Sequence, residues 1–95
     1  MRDEDFEWDD DKAARNWRKH HISFEMARDV FRDVFAIEWA DDAQGAREQC
    51  FVTLGMVDDR LLFVAYTLSD ARVRIISARL AEPYEPRRHH NENGT

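Results

Sequence analysis

Hydrophobic positions along the chain follow two rhythms, one helical and one strand-like, and the change between them falls near residue 33. Phe6-Glu7-Trp8 alternates apolar and polar and reads as a short strand. The acids Asp9, Asp10 and Asp11 then suit a helix start, where carboxylates cap free amides and complement the dipole. The helix they open is predicted over residues 10–20, with Ala13, Ala14 and Trp17 on its apolar side and Arg18 and Lys19 near its C-terminus. Ser23 opens a second helix: Ser23-Phe24-Glu25-Met26 resembles a capping box, and Ile22 is placed to pack on Ala27 as a hydrophobic staple. Its apolar positions are Phe24, Ala27, Val30 and Phe31. Trp8, Trp17 and Phe24 are expected in the core, and Asn16 is expected to hold a backbone turn through its side chain.

After this the period becomes two. Strands are predicted over residues 34–39, 49–56, 61–67 and 73–78, separated by a polar loop at 41–45, a turn at 57–59 and a tight turn at Ser69-Asp70. Connections this short predict an antiparallel meander. Segment 61–67 is apolar on both faces and should be central. Past residue 81, Pro83 suits the first turn of a short C-terminal helix, Pro86 falls in that turn or ends the helix, and residues 89–95 read as a disordered tail. The sum is a single α+β domain over residues 1–95, two N-terminal helices packed on an antiparallel sheet.

The last strand carries the candidate chemistry. By strand parity Arg72, Arg74 and Ile76 point one way and Val73, Ile75 and Ser77 the other, with Arg79 at the strand end. Guanidinium groups so placed suit bidentate contact with phosphate or carboxylate. Their plainer role is pairing with the many nearby acids, Asp70 for Arg72 in particular.

Composition narrows the field of functions. The chain has a net charge of −6, but unevenly: residues 1–59 hold 16 acids and 8 bases, while residues 60–90 hold 3 acids and 6 bases. An acidic whole argues against broad nucleic-acid binding, and a basic second half leaves room for a local phosphate site or, on the acidic side, a basic protein partner. The single cysteine, Cys50, rules out an internal disulfide and fits a reducing cytoplasm. His20-His21 and His89-His90 are adjacent pairs without metal-ligand spacing, so no metal or other cofactor is expected. No apolar run approaches the ~20 residues needed to span a membrane, and Met1-Arg2-Asp3-Glu4-Asp5 does not read as a secretory leader.

The pieces Phe6-Glu7-Trp8-Asp9, Lys12-Ala13, Asn16, Lys19-His20, Ser23-Phe24-Glu25 and Val30-Phe31 are followed, in order, by Thr53-Leu54-Gly55, the 61–67 strand and Arg74-Ile75-Ile76-Ser77-Ala78-Arg79. This pattern, across roughly residues 6–79, resembles the BrnT family of toxins from bacterial BrnT–BrnA toxin–antitoxin modules. The resemblance implies a RelE-like fold and a metal-independent ribonuclease that inhibits translation. It also implies a BrnA-like antitoxin that forms a hetero-oligomer with the toxin and carries the DNA-binding part, so that the complex reaches operator DNA through the antitoxin.

Cleavage by the ribose 2′-hydroxyl needs a base, an acid for the leaving 5′-oxygen, and cations against the developing phosphorane charge. Arg72, Arg74 and Arg79 are the expected phosphate clamp, and Lys19, His20, Arg74 and Arg79 the expected catalytic set. Histidine changes charge near neutral pH, which suits His20 to proton transfer; its plainer role is capping carbonyls at a helix end. Lys19 has the plainer role of a solvated surface lysine.

Three departures from the family pattern stand out. Cys50 occupies a position where relatives usually carry arginine, with Arg47 three residues earlier. His21 replaces a glycine that often follows Lys-His, at a cost of about 1 kcal/mol if the backbone there is left-handed. The tail Leu80-Ala81-Glu82-Pro83-Tyr84-Glu85-Pro86 is less basic than in relatives, and His89 stands about where a tyrosine is expected. Fewer cations to contact RNA give a second reading, a toxin-fold binding module that acts only in the repressor complex. A general acidic interaction domain is the third.

Overall fold

The computed structural model describes residues 1–41 and 49–82. The short C-terminal helix expected after Pro83, the disordered tail, Arg47 and most of the 41–45 loop lie outside the described residues. The elements run β1 (Phe6–Glu7), α1 (Asp10–His20), α2 (Phe24–Asp29), a 3₁₀ turn (Val30–Arg32), β2 (Ile37–Asp41), β3 (Cys50–Val57), β4 (Arg60–Ser69) and β5 (Arg72–Leu80).

Both helix starts follow from local chemistry. Asp9 caps α1, its carboxylate accepting from the backbone N–H of Asp11 at 2.8 Å and of Lys12 at 3.3 Å. Those bonds hold the Asp9 carboxyl below its ordinary range. Ser23 Oγ accepts from Met26 N–H at 3.0 Å and caps α2. This is half a capping box, because the residue that would reach back is Met26 rather than Glu. α1 ends at His21, whose φ of 57° is left-handed, and whose N–H bonds the Trp17 carbonyl. β2 begins at Ile37, later than the expected residue 34, because Asp33 turns the chain: its carboxylate accepts from Phe35 N–H and, across the fold, from Met56 N–H.

The sheet order is β1-β5-β4-β3-β2, with β4 central as expected. β2 to β5 form the antiparallel meander. The expectation of a wholly antiparallel sheet is corrected by β1, which pairs parallel to β5 through Phe6–Val73 and Glu7–Arg74. β1 and β5 are the first and last strands, joined through both helices and the whole meander, so no tight turn forces them antiparallel. Val57 pairs with Arg60 and Ser69 with Arg72, so both hairpins turn on two residues, Asp58-Asp59 and Asp70-Ala71, all four with positive φ.

The core lies between the helices and one sheet face: Trp8, Ile22, Phe24, Ala27 and Val30 pack with Leu62, Val64, Ile75 and Ala78. Ile22 and Ala27 are both buried there, as a staple requires. Phe31 joins the two sheet halves, with its ring edge-on to Phe6 at 5.4 Å and to Tyr66 at 5.1 Å. Burial, the hydrogen bond to Glu38 and the Glu38 charge push the Tyr66 phenol well above its ordinary pKa. Gly55 sits where the 3₁₀ turn crosses β3, and a Cβ there would lie 2.9 Å from Val30 Cγ1.

Two expectations about α1 need correction. Trp17 is 52% exposed, not core, and Ala14 is exposed as well. The inward position is Asn16, which is 7% exposed. Polar as it is, Asn16 can be buried because each of its polar atoms is bonded: Nδ2 donates to the carbonyls of Ile22 and Ala78, both at 2.9 Å, and Oδ1 accepts from Ala78 N–H at 3.1 Å. It therefore does more than the local turn expected of it.

Candidate functional site

The site begins with an irregularity in β5. Ala65 pairs with Ser77 but the next residue, Tyr66, pairs with Ile75, so Ile76 is an extra residue in a β-bulge. Directly paired residues share a face of the sheet. Arg72 and Arg74, opposite Ser69 and Thr67, thus lie on the face away from the helices, as parity predicts. Unbroken parity would send Arg79 to the helix face. The bulge returns it, opposite Phe63, to the face of Arg74, and it carries Ser77, opposite Ala65, to that face as well, correcting the expectation that Ser77 points with Val73 and Ile75.

β1 covers β5 only at Val73 and Arg74. Beyond them the β5 edge meets α1, and Asn16 stands in for a strand by binding both backbone groups of Ala78. This contact fixes the last turn of α1 against the bulge. Between them opens a cleft of about 280 Å³ lined by Lys12, Arg15, Asn16, Lys19, His20, Ile76 and Ser77.

The structure therefore brings Lys19 and His20 together on one wall of a single cleft. It places Arg74 and Arg79 outside that cleft, on the outer face of β5. Ser77 connects the two groups, since it lines the cleft and lies between Arg74 and Arg79 along the strand. Arg74 is exposed and makes no hydrogen bond or ion pair among the described residues. The Arg79 guanidinium lies 3.9 Å over the Phe63 ring, donates to the Leu80 carbonyl at 3.0 Å and sits 3.9 Å from Glu82. Arg72 does not pair with Asp70. Its Nε donates to the Asp3 carbonyl at 2.7 Å, a bond that ties down the N-terminal segment.

Lys12, Arg15 and Ser77 were not among the residues expected from the sequence. The signal for the first two was present: Lys12, Arg15 and Lys19 are spaced by three and four residues, and so fall on one helical face. Ser77 could not be found that way, because its position depends on the bulge. Among the described residues no group of three or more His, Cys, Asp or Glu side chains is placed to hold a metal. No described helix is long and apolar enough to cross a membrane.

Compared with known families, residues 8–85 match the one described as ribonuclease toxin, BrnT, of type II toxin-antitoxin system. No curated protein matches the chain.

Proposed function

The chain belongs to the BrnT family of ribonuclease toxins of type II toxin–antitoxin systems, and from that premise we propose that the α1–β5 cleft is where it cuts RNA. The observation that carries this reading is the meeting of His20, Lys19 and Ser77 in one cleft beside a strand that presents Arg74 and Arg79. The two helices packed on one face of an antiparallel meander support a RelE-like description of the fold.

In this reading the RNA backbone crosses the β5 edge. The ribose 2′-oxygen attacks the adjacent phosphorus, the bond from phosphorus to the 5′-oxygen breaks, and a 2′,3′-cyclic phosphate and a 5′-hydroxyl result. His20 moves one of the two protons, from the 2′-hydroxyl as neutral imidazole or to the 5′-oxygen as imidazolium, and solvent water takes or supplies the other. Lys19 and the two arginines stabilise the extra charge on the phosphorane. All these groups are protein side chains, so the reaction runs without metal. Arg72, held by Asp3, acts at most as an outlying phosphate contact.

A type II family implies an antitoxin partner. We assign it as a BrnA-like protein that covers the arginine-bearing strand and carries the complex to operator DNA, with cleavage and neutralisation both cytoplasmic. The deciding experiment is digestion of a labelled RNA by the purified protein in the presence of a chelator. Cyclic-phosphate ends, lost with His20→Ala and with Arg74→Ala plus Arg79→Ala, are expected. Folded wild-type protein that leaves every RNA intact would overturn the assignment and favour the binding-module reading.

A further inference from the structure

The α1 wall of the cleft carries two further cations, Lys12 and Arg15, that the proposed chemistry does not use. We propose that the α1 face bearing Lys12, Arg15 and Lys19, closed by Ser77 on β5, is a track for the phosphodiester backbone of single-stranded RNA, gripping phosphates beside the one that is cut. This rests on the ribonuclease reading for its ligand, but concerns binding rather than chemistry.

At about 100° per residue the three cations fall within about 60° of each other around the helix. From Lys12 to Lys19 they span about 10 Å along the axis, more than a single phosphate covers. No carboxylate among the described residues forms an ion pair with any of them. Asp9 lies near Lys12 and Arg15 and Asp11 borders Arg15, but neither forms an ion pair with them, and Asp9 Oδ1 accepts two α1 backbone N–H groups. In a chain of net charge −6 such a strip is not a by-product of general basicity. Lys12 and Arg15 are exposed, so their charge is open to a ligand. Ser77, on the neighbouring strand, borders the cleft across from α1.

Asn16 lies between Lys12 and Lys19 and fastens this stretch of helix to Ala78, so the backbone that carries the cations is held against β5. Arg15 offers a planar fork for two phosphate oxygens, and Lys12 a point charge. A strip of this kind reads backbone charge and not base identity.

The test is equilibrium binding of a fluorescent single-stranded RNA made uncleavable by 2′-O-methylation, over a series of salt concentrations, using the full chain. Lys12→Gln with Arg15→Gln should weaken binding about tenfold and lower the log–log salt slope by about 1.4, the value for two phosphate contacts on a single strand. Arg32→Gln, on the 3₁₀ turn, should change neither. Unchanged affinity and slope in the double variant, an equal loss in Arg32→Gln, or no RNA binding by the wild type would each overturn the track. Because the probe cannot be cut, a weakened double variant upholds the track even if the wild type cleaves nothing. Cleavage with unchanged binding upholds the ribonuclease and removes the track.

Discussion

The two halves of β5 are held by different means. From Arg72 to Ile75 the strand is flanked on both edges, by β4 and by the N-terminal segment: β1 pairs with Val73 and Arg74, Val73 N–H bonds the Asp5 carbonyl, and Arg72 bonds that of Asp3. From Ile76 to Leu80 no strand among the described residues covers the outer edge, and one side chain, Asn16, bonds there instead. The first half is closed by backbone pairing; of its two outward arginines, Arg72 is tied to Asp3 and Arg74 is exposed. The second is interrupted by a bulge, borders a cleft lined by Lys19, His20 and Ser77, and carries Arg79 on its outer face. A regular ladder leaves no room at its edge for a ligand, and it is the broken half that gains a wall of side chains.

The largest expected effect separates the halves by activity. His20→Ala should lower RNA cleavage at least about 100-fold, the usual contribution of a positioned acid or base. Arg79→Ala should cost about tenfold or more, as loss of one charge-stabilising donor does. Arg72→Ala, in the closed half, should cost no more than about threefold, in line with a weak outer phosphate contact. Cleavage rates at saturating RNA decide this. Equal losses for Arg72 and Arg79 would mean that the phosphate clamp covers the whole strand and that the division is wrong.

Asn16 should give the largest stability effect. Asn16→Ala leaves the Ala78 N–H and two carbonyls buried without partners, an expected loss of about 3 kcal/mol. Asn16→Asp keeps the shape and the acceptor but removes both donors, and should lose a similar amount. Urea unfolding followed by tryptophan fluorescence measures both. A loss below about 1 kcal/mol would show that the second half holds itself against α1 without the amide.

Much of this was legible in the chain, and the failures have physical causes. Both helices, the four meander strands and the central place of β4 follow from period and turn chemistry, which are local. The parallel partner of β5 was not foreseen, because a two-residue strand has almost no periodic signal and its partner lies more than 60 residues away. Trp17 was expected inside on hydrophobicity alone. The side of α1 that faces β5 is instead chosen by Asn16, whose value lies in hydrogen bonds to a distant strand that composition does not reveal. The arginines of β5 were visible, but their relation to Lys19 and His20 depends on one extra residue at Ile76, and a bulge has no reliable sequence mark. The Thr53-Leu54-Gly55 element contributes packing: Gly55 admits Val30 and the loop before β2.

His21 offers a smaller effect on the open half. Its left-handed backbone ends α1 directly after Lys19-His20. His21→Gly should add about 1 kcal/mol by relieving the strain on a side-chain-bearing residue there, less whatever the edge contact with Trp17 contributes. Thermal unfolding checks the sign. Destabilisation would show that the Trp17–His21 contact outweighs the backbone strain.

The smallest effect concerns pH and the closed half. Asp3 accepts from the N–H of Phe6 at 2.7 Å and of Asp5 at 2.9 Å, with Arg28 3.5 Å away. The backbone bonds, helped by the charges of Arg28 and Arg72, hold its carboxyl below the ordinary value of 3.8. A carboxyl depressed in the folded state contributes stability that is fully present above its unfolded pKa and fades as pH falls through the folded one. Acid should therefore loosen the N-terminal segment from Val73 and Arg74. The Asn16 bonds to Ala78 contain no titratable group and should not respond. Amide protection of Val73, corrected for the intrinsic exchange rate, should drop below about pH 4 while that of Ala78 holds. Asp3→Asn keeps the turn-forming oxygen without the charge and should flatten the Val73 response. If both amides lose protection together in the wild type, the two halves open as one unit, and the cleft depends on the N-terminal cover as much as on Asn16.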